Sequence, residues 1–158
     1  MIDNQTLKIR SVLESELSAV ISLELSSGLS TGGVGRFRNL LKDSNSLLLC
    51  AVKQDTVVDS QAIVGLFCGT VVLDEFQIDN LVVHEDYRQR GLGFALITSG
   101  LQQSAGLGAV TAILEVRTSN RSAQRLYEKC GFNVVGRRPD YYRDPQEDAL
   151  TMTCQFDR

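Results

Sequence analysis

The stretch 80–93, Asn-Leu-Val-Val-His-Glu-Asp-Tyr-Arg-Gln-Arg-Gly-Leu-Gly, constrains this chain more than any other. An apolar, strand-like run ends in a short basic turn with two glycines, and an amphipathic run begins at Leu92. Arg88, Gly91 and Gly93 stand in an Arg-x-x-Gly-x-Gly pattern at this strand-to-helix junction. The first N–H groups of a helix have no partner inside it and carry the positive end of its dipole. Glycines let such a backbone approach phosphate oxygens, and flanking arginines add charge. The pattern therefore predicts a pyrophosphate cradle. A plain strand–turn–helix connection would use the same glycines. Two other phosphate motifs are absent. A dinucleotide fingerprint needs a third glycine where this chain has Leu96. A P-loop needs G-x-x-x-x-G-K-S/T, and no such string occurs.

The 158 residues, 43% hydrophobic and 22% charged, suffice for one globular domain, read as 1–158, with a sizeable core. A net charge of −3 argues against direct nucleic-acid binding and tolerates a basic peptide partner. No apolar run approaches the ~20 residues of a membrane span. Met1-Ile2-Asp3-Asn4-Gln5 lacks a signal-peptide pattern. Cys50, Cys68, Cys130 and Cys154 are far apart and form no C-x-x-C. They read as buried thiols rather than a zinc site or a disulfide framework, which points to a reducing cytoplasm and to no metal.

Periodicity predicts a mixed α and β order. Strands are expected at 7–12, 47–52, 62–73, 76–83, 110–116, 132–136 and 149–155. Helices are expected at 15–25, 36–43, 92–107 and 119–130. Gly28, Gly32, Gly33 and Gly35 make 26–35 a loop, 53–61 reads as a turn, and Asp74-Glu75 as a tight turn. Phe94, Ile97 and Leu101 mark the stripe of the third helix, and Gly108 its stop. Gly100 within it costs roughly 1 kcal/mol relative to Ala.

The junction at 88–93 resembles the acyl-CoA loop of the GNAT superfamily of N-acetyltransferases, Gln/Arg-x-x-Gly-x-Gly/Ala. A denser match follows. Residues 114–132 fit L-E-V-R-x-x-N-x-x-A-x-x-L-Y-x-x-x-G-F, with Glu115, Asn120, Tyr127, Gly131 and Phe132 in register. This is similar to the peptide N-terminal acetyltransferase branch, specifically the bacterial ribosomal-protein-alanine (RimI) type. The likeness covers roughly 47–156, including Tyr141-Tyr142 and Glu147-Asp148-Ala149. It implies an α/β (α+β) fold, with a mostly antiparallel sheet of about seven strands, about four flanking helices, and splayed fourth and fifth strands. It further implies acetyl-CoA as acetyl donor, a peptide or protein N-terminus as acceptor, a ribosomal protein among the candidates, and a monomer or weak dimer.

Roles carry over residue by residue. The backbone of Leu81, Val82 and Val83 would pair with the pantetheine arm and supply an N–H to the thioester oxygen. Arg88, Gln89, Arg90, Gly91, Leu92, Gly93 and Phe94 would hold the pyrophosphate. Glu115 would accept the amine proton, and Tyr127 would be the general acid for the departing thiolate. Asn120 would touch the cofactor; by residue type, either Ser119 or Asn120 could cap the helix that follows. Tyr141 and Tyr142, placed on the connection before the last strand, would frame the acceptor groove together with loop 26–35. By residue type alone, Glu115 could instead pair with Arg117 on the same strand face, and Tyr127 could be core. His84, at a strand exit, reads as an exposed loop residue.

The chemistry favours an α-amine. An ammonium cannot attack a thioester, and an α-amino group has pKa ~7.7–8.0 against ~10.4 for lysine. The gap eases deprotonation at neutral pH by roughly 3.4 kcal/mol, which suits a base as modest as a glutamate. The alternatives are a small amine or lysine acceptor on the same fold, and a non-catalytic acyl-CoA-binding module. Loop 26–35 lacks the aromatic and proline residues usual in this branch, and Pro139-Asp140 replaces a basic residue and Asn. Acceptor identity therefore does not carry over with the transfer chemistry.

Overall fold

The computed structural model describes residues 7–28, 32–55 and 60–157. The N-terminal pentapeptide, positions 29–31 of the glycine-rich loop and positions 56–59 of the expected turn lie outside the described residues. The elements run β1 (Leu7–Ser11), α1 (Leu17–Ser26), α2 (Gly33–Lys42), β2 (Ser46–Asp55), β3 (Ser60–Val72), β4 (Glu75–Val83), α3 (Leu92–Gly106), β5 (Thr111–Arg117), α4 (Arg121–Lys129), β6 (Asn133–Arg143) and β7 (Gln146–Gln155). The strands form one sheet in the order β1-β2-β3-β4-β5-β7-β6. Every neighbouring pair is antiparallel except β4 and β5, which are parallel.

Two apolar layers sandwich this sheet. Phe67, Phe76, Leu96, Ile97, Phe132 and Met152 pack on the α3 and α4 side. Val20, Leu23, Phe37, Leu48, Leu66 and Val82 pack on the α1 and α2 side. Leu48 and Leu49, like Leu66 and Phe67, point to opposite layers. Strands buried on both faces have no polar face to show, which is why β2 and β3 read as continuous apolar runs. Cys50, Cys68 and Cys154 are buried, while Cys130 at the end of α4 is only partly so. Burial pushes the Cys50 thiol up to about 11 and the Cys68 thiol up to about 12, so both stay protonated and inert.

Several boundaries differ from the sequence reading, each for a local reason. The first helix begins at Leu17, because Glu14–Glu16 forms a 3-10 turn. The Glu16 carboxylate holds that turn: it accepts from the Leu13 N–H at 2.9 Å and pairs with Arg10 at 2.6 Å. The second helix starts at Gly33, three residues early, seated by the fully buried Phe37. Tertiary burial overrides the poor propensity of Gly33 and Gly35. β2 and β3 extend into the expected turn, with Lys53 opposite Ala62 and Gln54 opposite Gln61. The β3–β4 turn sits at Leu73 and Asp74, with Leu73 at φ +58°.

The stripe of α3 also needs correcting. Phe94 is 44% exposed, whereas Ile97 is buried as expected, beside Leu92, Leu96, Gly100 and Ser104, and Leu101 packs against the core. Gly100 is there because Phe67 passes over it. A Cβ at that position would sit 2.1 Å from Phe67 Cε1. Gly100→Ala is therefore expected to lose stability by ~1–3 kcal/mol through overpacking, despite a helix-propensity gain of ~1 kcal/mol, as chemical denaturation would measure.

Candidate active site

The sheet parts at its centre. β4 pairs with β5 only through Glu75, Phe76 and Gln77, opposite Thr111, Ala112 and Ile113. Beyond that, β4 stays with β3 as far as Val83, and β5 stays with β7 as far as Arg117. A bulge turns β4 away. Cys68 and Gly69 of β3 face Asn80 and Ile78, leaving Asp79 as the extra residue, and an extra residue bends its strand. Gly69 permits the close crossing, since a Cβ there would lie 2.5 Å from the Gln77 carbonyl oxygen. The bulge is tied to α1 by Asn80, which donates to the fully buried Glu24 at 2.6 Å. Arg36 of α2 lies 3.7 Å from both Glu24 and Asp79.

Leu81, Val82 and Val83 form the unpaired flank of this gap. At its mouth, Arg88 Nε donates to the Val83 carbonyl at 2.9 Å and fixes the turn to the strand end. Gln89 and Gly91 take φ +58° and +83°, aiming successive amides to one side. Among the described residues, the N–H groups of Gln89, Arg90, Gly91, Leu92, Gly93 and Phe94 find no acceptor. Leu92 is buried and anchors the helix start. Gly93 lets α4 come close: a Cβ there would meet Leu126 Cδ2 at 2.8 Å. The Arg90 guanidinium lies 5.5 Å from the Tyr87 ring centroid. Six open donors beside two arginines fit an anionic diphosphate. His84 Nδ1 accepts the Asp86 N–H at 3.2 Å, a local turn contact in keeping with its reading as a loop residue. Ser26, Ser27, His84, Glu85 and Arg88 line a small cavity, so the start of loop 26–35 borders the cradle.

Glu115 faces the other side of the sheet from α3. Ala112, Leu114 and Val116 are buried against α3 and α4, so strand alternation turns Ile113, Glu115 and Arg117 to the α1 face. α1 packs chiefly on β3 and α2 on β2, which leaves the β5–β7–β6 end of that face open. Glu115 does not pair with Arg117. Its Oε2 accepts from Thr151 Oγ1 at 2.7 Å, and Oε1 lies 3.3 Å from Arg138 Nε. Arg117 instead pairs with Glu147 at 3.2 Å and stacks 4.2 Å over the Tyr142 ring.

Tyr127 projects from α4 into the α3-side core, edge-on to Phe132 with centroids 5.9 Å apart. Burial, then the nearby Tyr142 and Cys130, push its phenol well above the ordinary value. Among the described residues, its hydroxyl has no hydrogen-bond partner, yet the oxygen is not sealed from solvent. Asn120 Oδ1 accepts the Ala123 N–H at 3.2 Å and caps α4.

Tyr141 and Tyr142 are not on a connection. They belong to β6, which runs on to Arg143, and the β6–β7 turn is the short Asp144-Pro145 pair. The strand continues past Gly136 because β7 begins at Gln146, three residues before its expected start, and offers a partner. Between Arg138 and Tyr142 three β6 residues face one β7 residue. Asp148 pins this bulge, accepting from Asp140 N at 2.9 Å and from Arg137 Nε at 2.6 Å.

The sequence reading missed Thr151 and Arg138 as partners of Glu115, and Glu147 as a hub. The Glu147 carboxylate accepts from Ser119 N at 2.6 Å, Thr118 Oγ1 at 3.0 Å and Arg117 at 3.2 Å. These contacts hold it down at about 2, against an ordinary 4.5. A folded-state value below the unfolded one adds stability above pH ~4.5 that is lost as pH falls toward 2. The melting-temperature gap between the parent and Glu147→Gln is expected to be widest above pH ~5 and to close toward pH 2, as calorimetry across pH would show.

Residues 16–132 match the Acetyltransferase (GNAT) family. The chain is 44% identical over 84 residues to the ribosomal protein bS18-alanine N-acetyltransferase of Escherichia coli (strain K12), which is 52% of this chain but only 57% of that protein. A protein of the same name from Haemophilus ducreyi is 31% identical over 147 residues, 91% of this chain and 97% of its own. The crystal structure of the E. coli ribosomal-protein-S18-alanine N-acetyltransferase superposes with a TM-score of 0.82 at 29% identity, over 96% of this chain and 95% of that one. The chain belongs to the GNAT family.

Proposed function

We propose that this chain transfers an acetyl group from acetyl-CoA to a protein N-terminal amine, that of a ribosomal protein beginning with alanine. The observation that carries the reading is the arrangement around the β4–β5 gap: six open amides at its mouth and a held carboxylate, Glu115, on the open face beside it. The aligned relatives named for bS18-alanine N-acetylation support the acceptor class. The lower basicity of an α-amine supports it independently.

Acetyl-CoA supplies an acetyl group activated as a thioester. The amides of Gln89 to Phe94, with Arg88 and Arg90, would hold its diphosphate. The open flank at Leu81, Val82 and Val83 would pair with its amide-bearing arm and place one N–H against the carbonyl oxygen where charge develops. Glu115, fixed by Thr151, takes the proton of the acceptor amine, directly or through water. Tyr127 is held un-ionised by burial, so it is a hydrogen-bond donor at every working pH. Full proton transfer to a thiolate of pKa ~8.5 is uphill from such a phenol, so its first contribution is a hydrogen bond that strengthens as the sulfur departs. Tyr141 and Tyr142 on β6 and loop 26–35 would wall the acceptor groove.

Among the described residues no helix is long and apolar enough to cross a membrane. A cytoplasmic site of action is part of the proposal, as are a monomer or weak dimer and a single domain over 1–158. Mass spectrometry of ribosomal proteins from a host lacking this gene tests the acceptor. Loss of one N-terminal acetyl group supports the reading. Unchanged N-termini alongside altered lysine or small-amine acetylation would overturn it.

A further inference from the structure

We propose that Arg138 reads the carbonyl oxygen of the acceptor's first residue, and so makes the site selective for peptide N-termini over side-chain and simple amines. This rests on the reading of Glu115 as the base for the acceptor amine. Glu115, Thr151 and Gly136 lie in one cross-strand row of β5, β7 and β6. Gly136 gives that row no side chain at its outer end. Arg138, two residues along on the same face of β6, reaches across the vacant position to Glu115 Oε1. The side chain is 60% exposed, and its guanidinium carbon stands 5.5 Å from the Tyr141 ring centroid.

A guanidinium has five N–H donors in a fixed plane. Arg138 faces Glu115 through Nε, and among the described residues its Nη donors have no acceptor. Its neighbours differ. Arg117 is engaged by Glu147 and by the carbonyls of Pro145 and Asp144, and Arg137 by Asp148. Arg138 is thus a cation held beside the candidate base with donors directed at no protein group. The 3.3 Å contact is longer than the ~2.7–2.9 Å of a tight charge-assisted bond, so an incoming ammonium can take Oε1 from it.

The chemistry of the acceptor fits this pair. In a peptide N-terminus the carbonyl oxygen of the first residue lies about 3 Å from the amine nitrogen. A carboxylate oxygen and a guanidinium N–H at this spacing can take the amine and the carbonyl oxygen together. A lysine side chain or an alkylamine carries methylene groups there and leaves the guanidinium unanswered.

The test uses the full chain with acetyl-CoA and two acceptors: an alanine-terminated peptide, and the same peptide with its first amide replaced by a trans-alkene, which keeps the shape and lacks the carbonyl. Arg138→Gln should lower kcat/KM for the normal peptide ~10–100-fold and for the alkene peptide by no more than ~3-fold, with Arg138→Lys regaining part of the loss. An equal fall for both acceptors would make Arg138 a positioning residue for Glu115 alone and overturn the inference, as would no fall for either. A parent enzyme that acetylates neither peptide, yet acetylates lysine or small amines, would overturn the proposed function itself and this inference with it.

Discussion

Glu115→Gln is expected to lower kcat at neutral pH by ~10²–10⁴-fold, the usual worth of a general base, with part of the loss regained as pH rises. A glutamine can keep the Thr151 contact and much of the shape, but it cannot accept the amine proton. Rescue follows from the acceptor, because an α-amine of pKa ~7.7–8.0 loses its own proton in mildly alkaline solution. A lysine acceptor, at ~10.4, would show little rescue in the same range, so the pH profile also reports the acceptor class. Acetyl-CoA affinity should hold, since the amides of the cradle and the Glu115 carboxylate occupy different parts of the gap. Thiol release followed from pH 7 to pH 9.5 measures this, and a variant turning over at the parent rate would remove Glu115 from the mechanism.

Tyr127→Phe should reduce kcat by a comparable ~10²–10⁴-fold with little change in acetyl-CoA affinity. The fold should tolerate it. The ring keeps its edge-on contact with Phe132, and no protein hydrogen bond of the hydroxyl is lost among the described residues. Loss of rate at unchanged melting temperature separates a chemical role from a packing one. The phenol is raised above its ordinary value, so ionisation of Tyr127 should produce no falling limb in the parent profile below pH ~10. Single-turnover kinetics would reveal whether the residual rate is limited by departure of the thiol.

Some parts of this molecule were legible in its sequence and others were not. The glycine-rich turn into α3 was, because its physics is local: two glycines, two arginines and a helix start within seven residues. The face that Glu115 shares with Ile113 and Arg117 was also legible, and of the two expected cap residues, Ser119 and Asn120, the structure uses Asn120. The partners of Glu115 were not. Thr151 is 36 positions away in the chain and Arg138 is 23, and only the β5–β7–β6 order brings them together. Arg117 was the natural partner by proximity, but Glu147 outcompetes Glu115 for it through three converging donors. The length of β6 was hidden because Tyr141 and Tyr142 were expected on a connection, after Pro139 and Asp140. The strand absorbs them in a bulge pinned by Asp148, a contact invisible to local pattern. Gly100 looked like a helix flaw until Phe67 was seen lying over it.

The most direct test mixes the purified chain, acetyl-CoA and a peptide that begins with alanine and carries an internal lysine, and locates the product by fragmentation mass spectrometry. One acetyl group on the α-amine, absent when acetyl-CoA is omitted and nearly absent with Glu115→Gln, is the expected result. Acetylation of the lysine instead, or an unmodified peptide in the presence of bound acetyl-CoA, would contradict the assignment.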